Sequence, residues 1–467
     1  MSALPITPDM DTRSSNRDIW RLTWPQMLMM GFNFLIGFVD VYVAAKISSE
    51  AQAAMGLLAQ CLMMFLVLAV AVASGAVAAV GQSLGANRPR RAARYAGLCL
   101  SSGLALGIAF TVACYPARDF LLSLLRVPME LRGICFQLFG IFLLLVPGYY
   151  LFLISNAVLR AYKLVLFPLW SMFLATALNA TGDFGLGLGY FGLPRLGVTG
   201  IACSTFISIT GALVLNLVFL RRRGLLSRDA WPPLRWVARA FPYIYKVAWP
   251  AGLMQVLWQS GYLVLFSITA SLPVDNIASL AGMTAGLRIE SALFLPGMAF
   301  NLTAGILISH FLGAGRPDEA RRIGYRILFL GLGLITVVSL PLWPYLKEIA
   351  GILAPDPDVR VRAVGYLRYN LAAIPFTMTS MILAGSLNGA GATRYNLAVF
   401  SVSIWGVRLP LAYLLGHVVF KDADGVWLAM LVSQAAQALS LLYVFHYKNW
   451  ARFGLAGARP SRQKPAV

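Results

Sequence analysis

The stretch LGANRPRRAAR, residues 84–94, returns as LGAGRPDEARR at 312–322, identical at seven of eleven positions with an offset of 228. The same offset relates Pro147 to Pro375, Arg160-Ala161 to Asn388-Gly389, and Gly197-Val198 to Gly425-Val426. TWP at 23–25 and AWP at 248–250 correspond at an offset of 225. A shift this regular, sustained along the chain, marks a duplicated unit.

Around these loops the sequence is apolar. Of the 467 residues, 59% are hydrophobic and 12% charged, with mean hydropathy +0.73. A soluble domain carries about 25% charged residues. Uncharged runs such as 51–87, 133–159, 196–220, 369–393 and 425–447 exceed the ~20 residues a helix needs to cross hydrocarbon. They are too long and too uniformly apolar for barrel strands, and lipid permits only helices or closed barrels. With the spans that carry internal charges, the chain reads as an all-α membrane protein of twelve transmembrane helices. Six fall in each unit. An even number returns the chain to its starting side, so the two six-helix bundles are parallel, related by a pseudo-two-fold axis along the membrane normal. The expected layout is an N-terminal tail (1–17), an N-lobe (18–222), a linker (223–239), a C-lobe (240–448) and a C-terminal tail (449–467).

Charge gives the orientation. On alternate-side counting, 26 Lys and Arg fall on the side of the two repeated loops and 10 on the other. That asymmetry places both termini in the cytoplasm of a multi-pass plasma-membrane protein, the inner membrane in a Gram-negative cell. The net charge of +20 is spread over short loops facing anionic lipid, not gathered into an aromatic-interleaved stripe, which excludes nucleic acid as a partner.

Enzymatic motifs fail. GLGYFG (187–192) has the spacing of a nucleotide-binding turn but follows a membrane span, not a strand. There is no GxxxxGK[ST]. His310, His417 and His446 are scattered near span ends, and the five cysteines lie singly in apolar runs. No cofactor and no resident metal are expected.

The informative residues are the polar ones inside the spans. An Asp at a span centre costs roughly 2.5–3.5 kcal/mol on insertion scales. Asp40 lies in span 1, and steps of seven give Asn33 and Gln26 on nearly the same stripe. Gly37, one turn away, leaves room beside it. In span 5, Thr176, Asn179 and Asp183 share a face. Both acids lie toward the outer ends of their spans and fit one cavity, where two close carboxyls disfavour double ionisation and so can hold a proton. The plainer alternative is that each Asp only bonds a neighbouring helix. Asn156 and Thr205 are further cavity candidates. Arg288 and Glu290 in span 8 are a C-lobe charged pair too close in sequence to face each other directly.

With these features the chain resembles the multidrug and toxic compound extrusion (MATE) family. The resemblance rests on Trp24, Pro25, Phe38, Val39 and Asp40 in span 1, the two LGAxRP loops, GVTGIACS in span 6 and RLPLAYLLG at 408–416. It covers about residues 18–450. Acids in spans 1 and 5, with Gln255 and Gln259 in span 7 and no acid in span 10, are similar to the DinF-type subgroup. The resemblance implies cation coupling through Asp40, Asn179 and Asp183, a span 1 hinge at Pro25, a cavity-lining Asn156, and a span 6 threonine that is either Thr199 or Thr205. It implies a monomeric secondary antiporter that exports amphipathic, often cationic drugs against protons or sodium ions by rocking of the two lobes. A flippase for lipids or lipid-linked precursors is the alternative within the superfamily; it calls for a deep basic cavity, for which only Arg288 and Arg408 are available.

Overall fold

The computed structural model describes residues 15–125, 127–227 and 230–455. The outer parts of the two expected tails, and Arg126 and Arg228 of the charge count, lie outside the described residues.

The first unit contains α1 (Asn16–Ile47), α2 (Ser49–Phe65), α3 (Val67–Gly85), α4 (Pro89–Cys114), α5 (Arg118–Leu124), α6 (Met129–Ala161), α7 (Leu166–Gly182) and α8 (Val198–Arg222). The second contains α9 (Leu234–Ala270), α10 (Asn276–Leu293), α11 (Leu295–Gly313), α12 (Pro317–Ser339), α13 (Leu346–Leu353), α14 (Pro357–Ala390), α15 (Thr393–Ser401), α16 (Leu409–Tyr413) and α17 (Ala423–Tyr447). Eleven described helical segments are long and apolar enough to cross a bilayer. The remaining span is α7, only 17 residues long, which a π-helical turn at Asp183–Gly187 prolongs. Twelve spans result, in two lobes. The expected linker is shorter than 223–239, because α9 already begins at Leu234, just after Pro233.

The repeated loop now has a physical reason. Asn87 and Gly315 hold φ of +53° and +73° at equivalent positions. Arg88 N–H bonds the Ser83 carbonyl at 3.0 Å, and Arg316 N–H bonds that of Phe311 at 3.0 Å. Each is a left-handed helix stop, which favours Asn or Gly. Pro89 and Pro317 then open the next helix, where a missing N–H costs nothing. The span breaks also repeat, at Leu66 between α2 and α3 and at Phe294 between α10 and α11.

The two units meet mainly through α3 and α11, which pack on each other, and through α1 on α11 and α9 on α3. The other halves of those broken spans pack within their own units: α2 on α1 and α6, α10 on α9, α13 and α14. Contact between units is therefore concentrated toward one end of the molecule, the end that carries the two repeated loops, called here the basic end.

Candidate functional site

Three elements of the first unit build the site: α1, the α7 π-turn and α8. Asn179 Nδ2 donates to Asp40 Oδ1 at 3.0 Å and lies 3.4 Å from Thr205 Oγ1. Ser204 Oγ donates to Asp183 Oδ1 at 2.6 Å and sits 2.9 Å from the Asn179 carbonyl. The Asp40 and Asp183 carboxyls are within hydrogen-bonding reach of each other.

Glycines set this geometry. A side chain on Gly200 would collide with the Leu186 carbonyl, and one on Gly182 would meet Ser204. Their absence lets α8 lie against the π-turn. Ser204, one helical turn beyond Gly200, then reaches the acid. The sequence reading missed Ser204; the Gly200–Ser204 spacing inside GVTGIACS was its signal.

The site is starved of donors. Asp183 and Asn179 are fully buried. Asp183 Oδ2 and Asn179 Oδ1 receive no hydrogen bond from the described protein groups. Unprotonated carboxyls only accept, so two of them can bond each other only when one carries a proton. A buried charge without a partner costs several kcal/mol, about the scale at which a group neutralises instead. One proton held between the acids lowers the charge and supplies a donor. Among the described residues no cluster of three or more His, Cys, Asp or Glu is arranged to hold a metal ion.

The other expected cavity residues divide. Asn33 is exposed and Asp40 half-buried, beside an unobstructed Gly37. Gln26 is buried, and its Nε2 donates to Thr303 Oγ1 at 2.8 Å on α11, where Thr23 also bonds Thr303. It ties the two units together. The stripe separates because seven residues fall about 20° short of two full helical turns. Thr176 bonds the Phe32 carbonyl of α1 at 3.2 Å. Asn156 is buried and accepts from Asn216 Nδ2 at 2.8 Å, inside a cluster with Ser155 and Ser171. It too is engaged in helix packing. Helix α1 runs unbroken through Pro25.

In the second unit Arg288 and Glu290 do not form a pair. Arg288 is exposed and Glu290 buried. Tyr366 O–H donates to Glu290 Oε2. Arg408, 1% exposed, donates from Nε to Ser433 Oγ at 2.9 Å and lies over the Trp258 and Tyr262 rings. The repeat mates of Glu290 and Arg408 in the first unit are Leu62 and Ala180, so the buried charges of the two lobes do not coincide under the repeat.

Known proteins agree with this architecture. The MatE family profile matches residues 25–184 and 250–414. The uncharacterized transporter YisQ of Bacillus subtilis is 23% identical, over 94% of this chain and 96% of its own. A protein of Thermotoga maritima described as a probable multidrug resistance protein NorM is 22% identical over 95% of each chain. A solved MOP superfamily transporter from Pyrococcus furiosus superposes with TM-score 0.85 at 18% identity, covering 93% of this chain and 96% of that one. The match spans both repeats and the segments that carry the buried acids: the chain belongs to the MatE family of transporters, and is not an enzyme.

Proposed function

We propose that this protein is a DinF-type secondary antiporter that exports amphipathic, often cationic organic compounds in exchange for protons. The observation that carries the reading is the cluster of Asp40, Asn179 and Asp183, two carboxyls within reach of one another with too few donors around them. The names of the relatives support the substrate class, and the charge asymmetry supports cytoplasmic termini, so that the basic end faces inward and the acids lie toward the outside.

A proton entering from outside binds between Asp40 and Asp183 and removes one negative charge. The Asn179 amide, which solvates the Asp40 carboxylate, then loses part of its hold, and α1 is free to shift at Pro25, whose ring leaves the Arg21 carbonyl without its helical N–H. The shift narrows the space beside Gly37 and expels substrate outward. Release of the proton to the cytoplasm restores the charged site. Exchange of one proton for an uncharged compound moves one charge down the membrane potential, worth roughly 2.3 kcal/mol per 100 mV, more than a tenfold concentration ratio requires; exchange for a monovalent cation is electroneutral and is driven by the pH gradient alone.

Purified protein in proteoliposomes, with proton and sodium gradients imposed separately, tests this. Drug efflux driven by an inward proton gradient and accompanied by lumenal pH change is expected. Efflux driven by sodium alone transfers the same site to a sodium cycle; no efflux under either gradient ends the antiport reading. The flippase alternative gains no support, since Arg408 is enclosed by Ser433, Trp258 and Tyr262 while Arg288 is exposed.

A further inference from the structure

Residues Gln82 and His310 occupy the same position in the two repeats, 228 apart. Each reaches across to the other unit. Gln82 Nε2, on α3, donates to the Gly389 carbonyl at the end of α14, at 2.9 Å. His310 Nε2, on α11, lies 2.8 Å from the Ala161 carbonyl at the end of α6. Since a carbonyl only accepts, that ring nitrogen carries the hydrogen. Ala161 and Gly389 are themselves repeat mates.

The two carbonyls are those their helices leave over. At the end of α6, the Val158, Leu159 and Arg160 carbonyls are taken by the N–H groups of Tyr162, Leu164 and Lys163. At the end of α14, those of Leu387 and Asn388 are taken by Ala392 and Gly391. A helix end must find partners for its last carbonyls elsewhere. Here each lobe caps an orphan of the other. The approach is as close as backbone allows: a side chain on Gly85 would strike the His310 carbonyl, and one on Gly313 the Gln82 carbonyl. Both bonds are buried, Gln82 at 1% and His310 at 8% exposure.

We propose that Gln82 and His310 are the two halves of a latch that holds the basic end closed, and that both bonds break and re-form in each transport cycle. They are positioning residues for transport: they touch neither substrate nor coupling ion, but set how often the lobes part at this end. The pairing has a thermodynamic logic. When the lobes part, water replaces the lost donors on Ala161 and Gly389, so each bond is worth only the modest net value of an exchanged hydrogen bond, about a fivefold bias in the open–closed ratio. Two such bonds bias the resting state without locking it. Gln82 is the firmer half, because its Oε1 also accepts from Tyr243 O–H at 3.2 Å and from Leu455 N–H at 2.7 Å, which fixes the amide.

The inference rests on the alternating-access part of the function proposed above, and its test does not use transport. Hydrogen exchange read by mass spectrometry on the full-length protein in lipid nanodiscs compares wild type with Gln82→Ala, His310→Ala and His310→Gln. The latch predicts about fivefold faster exchange around 84–94 and 312–322 in His310→Ala and a larger increase in Gln82→Ala, which also loses the Tyr243 and Leu455 bonds, with slower exchange around 36–48 at the opposite end as the outer side closes. His310→Gln, which installs the donor its repeat mate uses, stays near wild type. Unchanged exchange in both Ala variants overturns the latch. So does faster exchange at both ends, which reports a folding defect, or a His310→Gln protein as loose as His310→Ala. If the exchange pattern holds while Asp40→Asn still transports, the latch stands and the coupling mechanism falls.

Discussion

Asn179 donates its side-chain amide to Asp40 across 139 residues of sequence, at 3.0 Å, and one turn further along the same face Asp183 takes the Ser204 hydroxyl at 2.6 Å. A single amide thus links the acid of α1 to the helix that carries the second acid.

Replacing Asp40 with Asn keeps shape and bonding capacity but removes the titratable charge. Proton-driven efflux is expected to fall more than tenfold, with thermal unfolding of the detergent-solubilised protein little changed. Efflux at the wild-type rate rules Asp40 out of coupling.

Ser204→Ala removes the described hydroxyl that satisfies Asp183 Oδ1. A buried acceptor left without its donor costs about 1–3 kcal/mol. A lowered unfolding midpoint is expected, together with a displaced pH profile of transport, because the proton shared by the acids loses a competitor. A Ser204→Thr variant keeps the hydroxyl and the profile.

At Gly200 the added methyl of Ala already meets the Leu186 carbonyl. Moving α8 away costs on the order of 1–3 kcal/mol and carries Ser204 off the acid. Gly200→Ala should therefore reduce both stability and transport, whereas Gly192→Ala, with open space around it but φ of +73°, should affect stability alone. Equal transport by the two variants contradicts the packing argument.

Loss of Glu290 removes the acceptor of the buried Tyr366 hydroxyl. A buried donor left unsatisfied costs about 1–3 kcal/mol, so Glu290→Ala should unfold at lower temperature. Glu290→Gln keeps an acceptor for Tyr366 and should lose less. Differential scanning fluorimetry on both variants orders them.

Pro25→Ala returns an N–H to the Arg21 carbonyl and stiffens α1. The variant should melt at the same temperature or higher yet turn over more slowly. Faster turnover excludes Pro25 as the hinge.

Much of the molecule was legible in the chain. The repeat at 228 predicted two units, and the apolar runs predicted twelve spans, because both follow from local pattern and from the cost of exposing backbone in lipid. Asp40 and Asp183 declared themselves for the same reason: a carboxyl in hydrocarbon is expensive enough to need a cause. Gln26, placed with Asp40 by helical spacing, instead bonds Thr303 of the other unit, since a stripe drawn on one helix does not say which neighbour covers which part of it. Ser204 is uncharged and cheap to bury, so its signal was only its spacing from Gly200, which does not say what it meets. His310 read as a stray histidine near a span end, and its equivalence to Gln82 acquired meaning only when Ala161 and Gly389 were found opposite them.

The sequence by itself determined the membrane-spanning helices, their duplication and the acids that pay to be there, because periodicity, hydropathy and charge act within a segment. Only the tertiary structure decided which of those side chains meet. Contacts between α1, α8 and the α7 π-turn, and between α3 and α11, depend on how closely helix backbones cross. That distance is set by glycines such as Gly200, Gly85 and Gly313, whose partners lie on other helices and leave no trace in the local pattern.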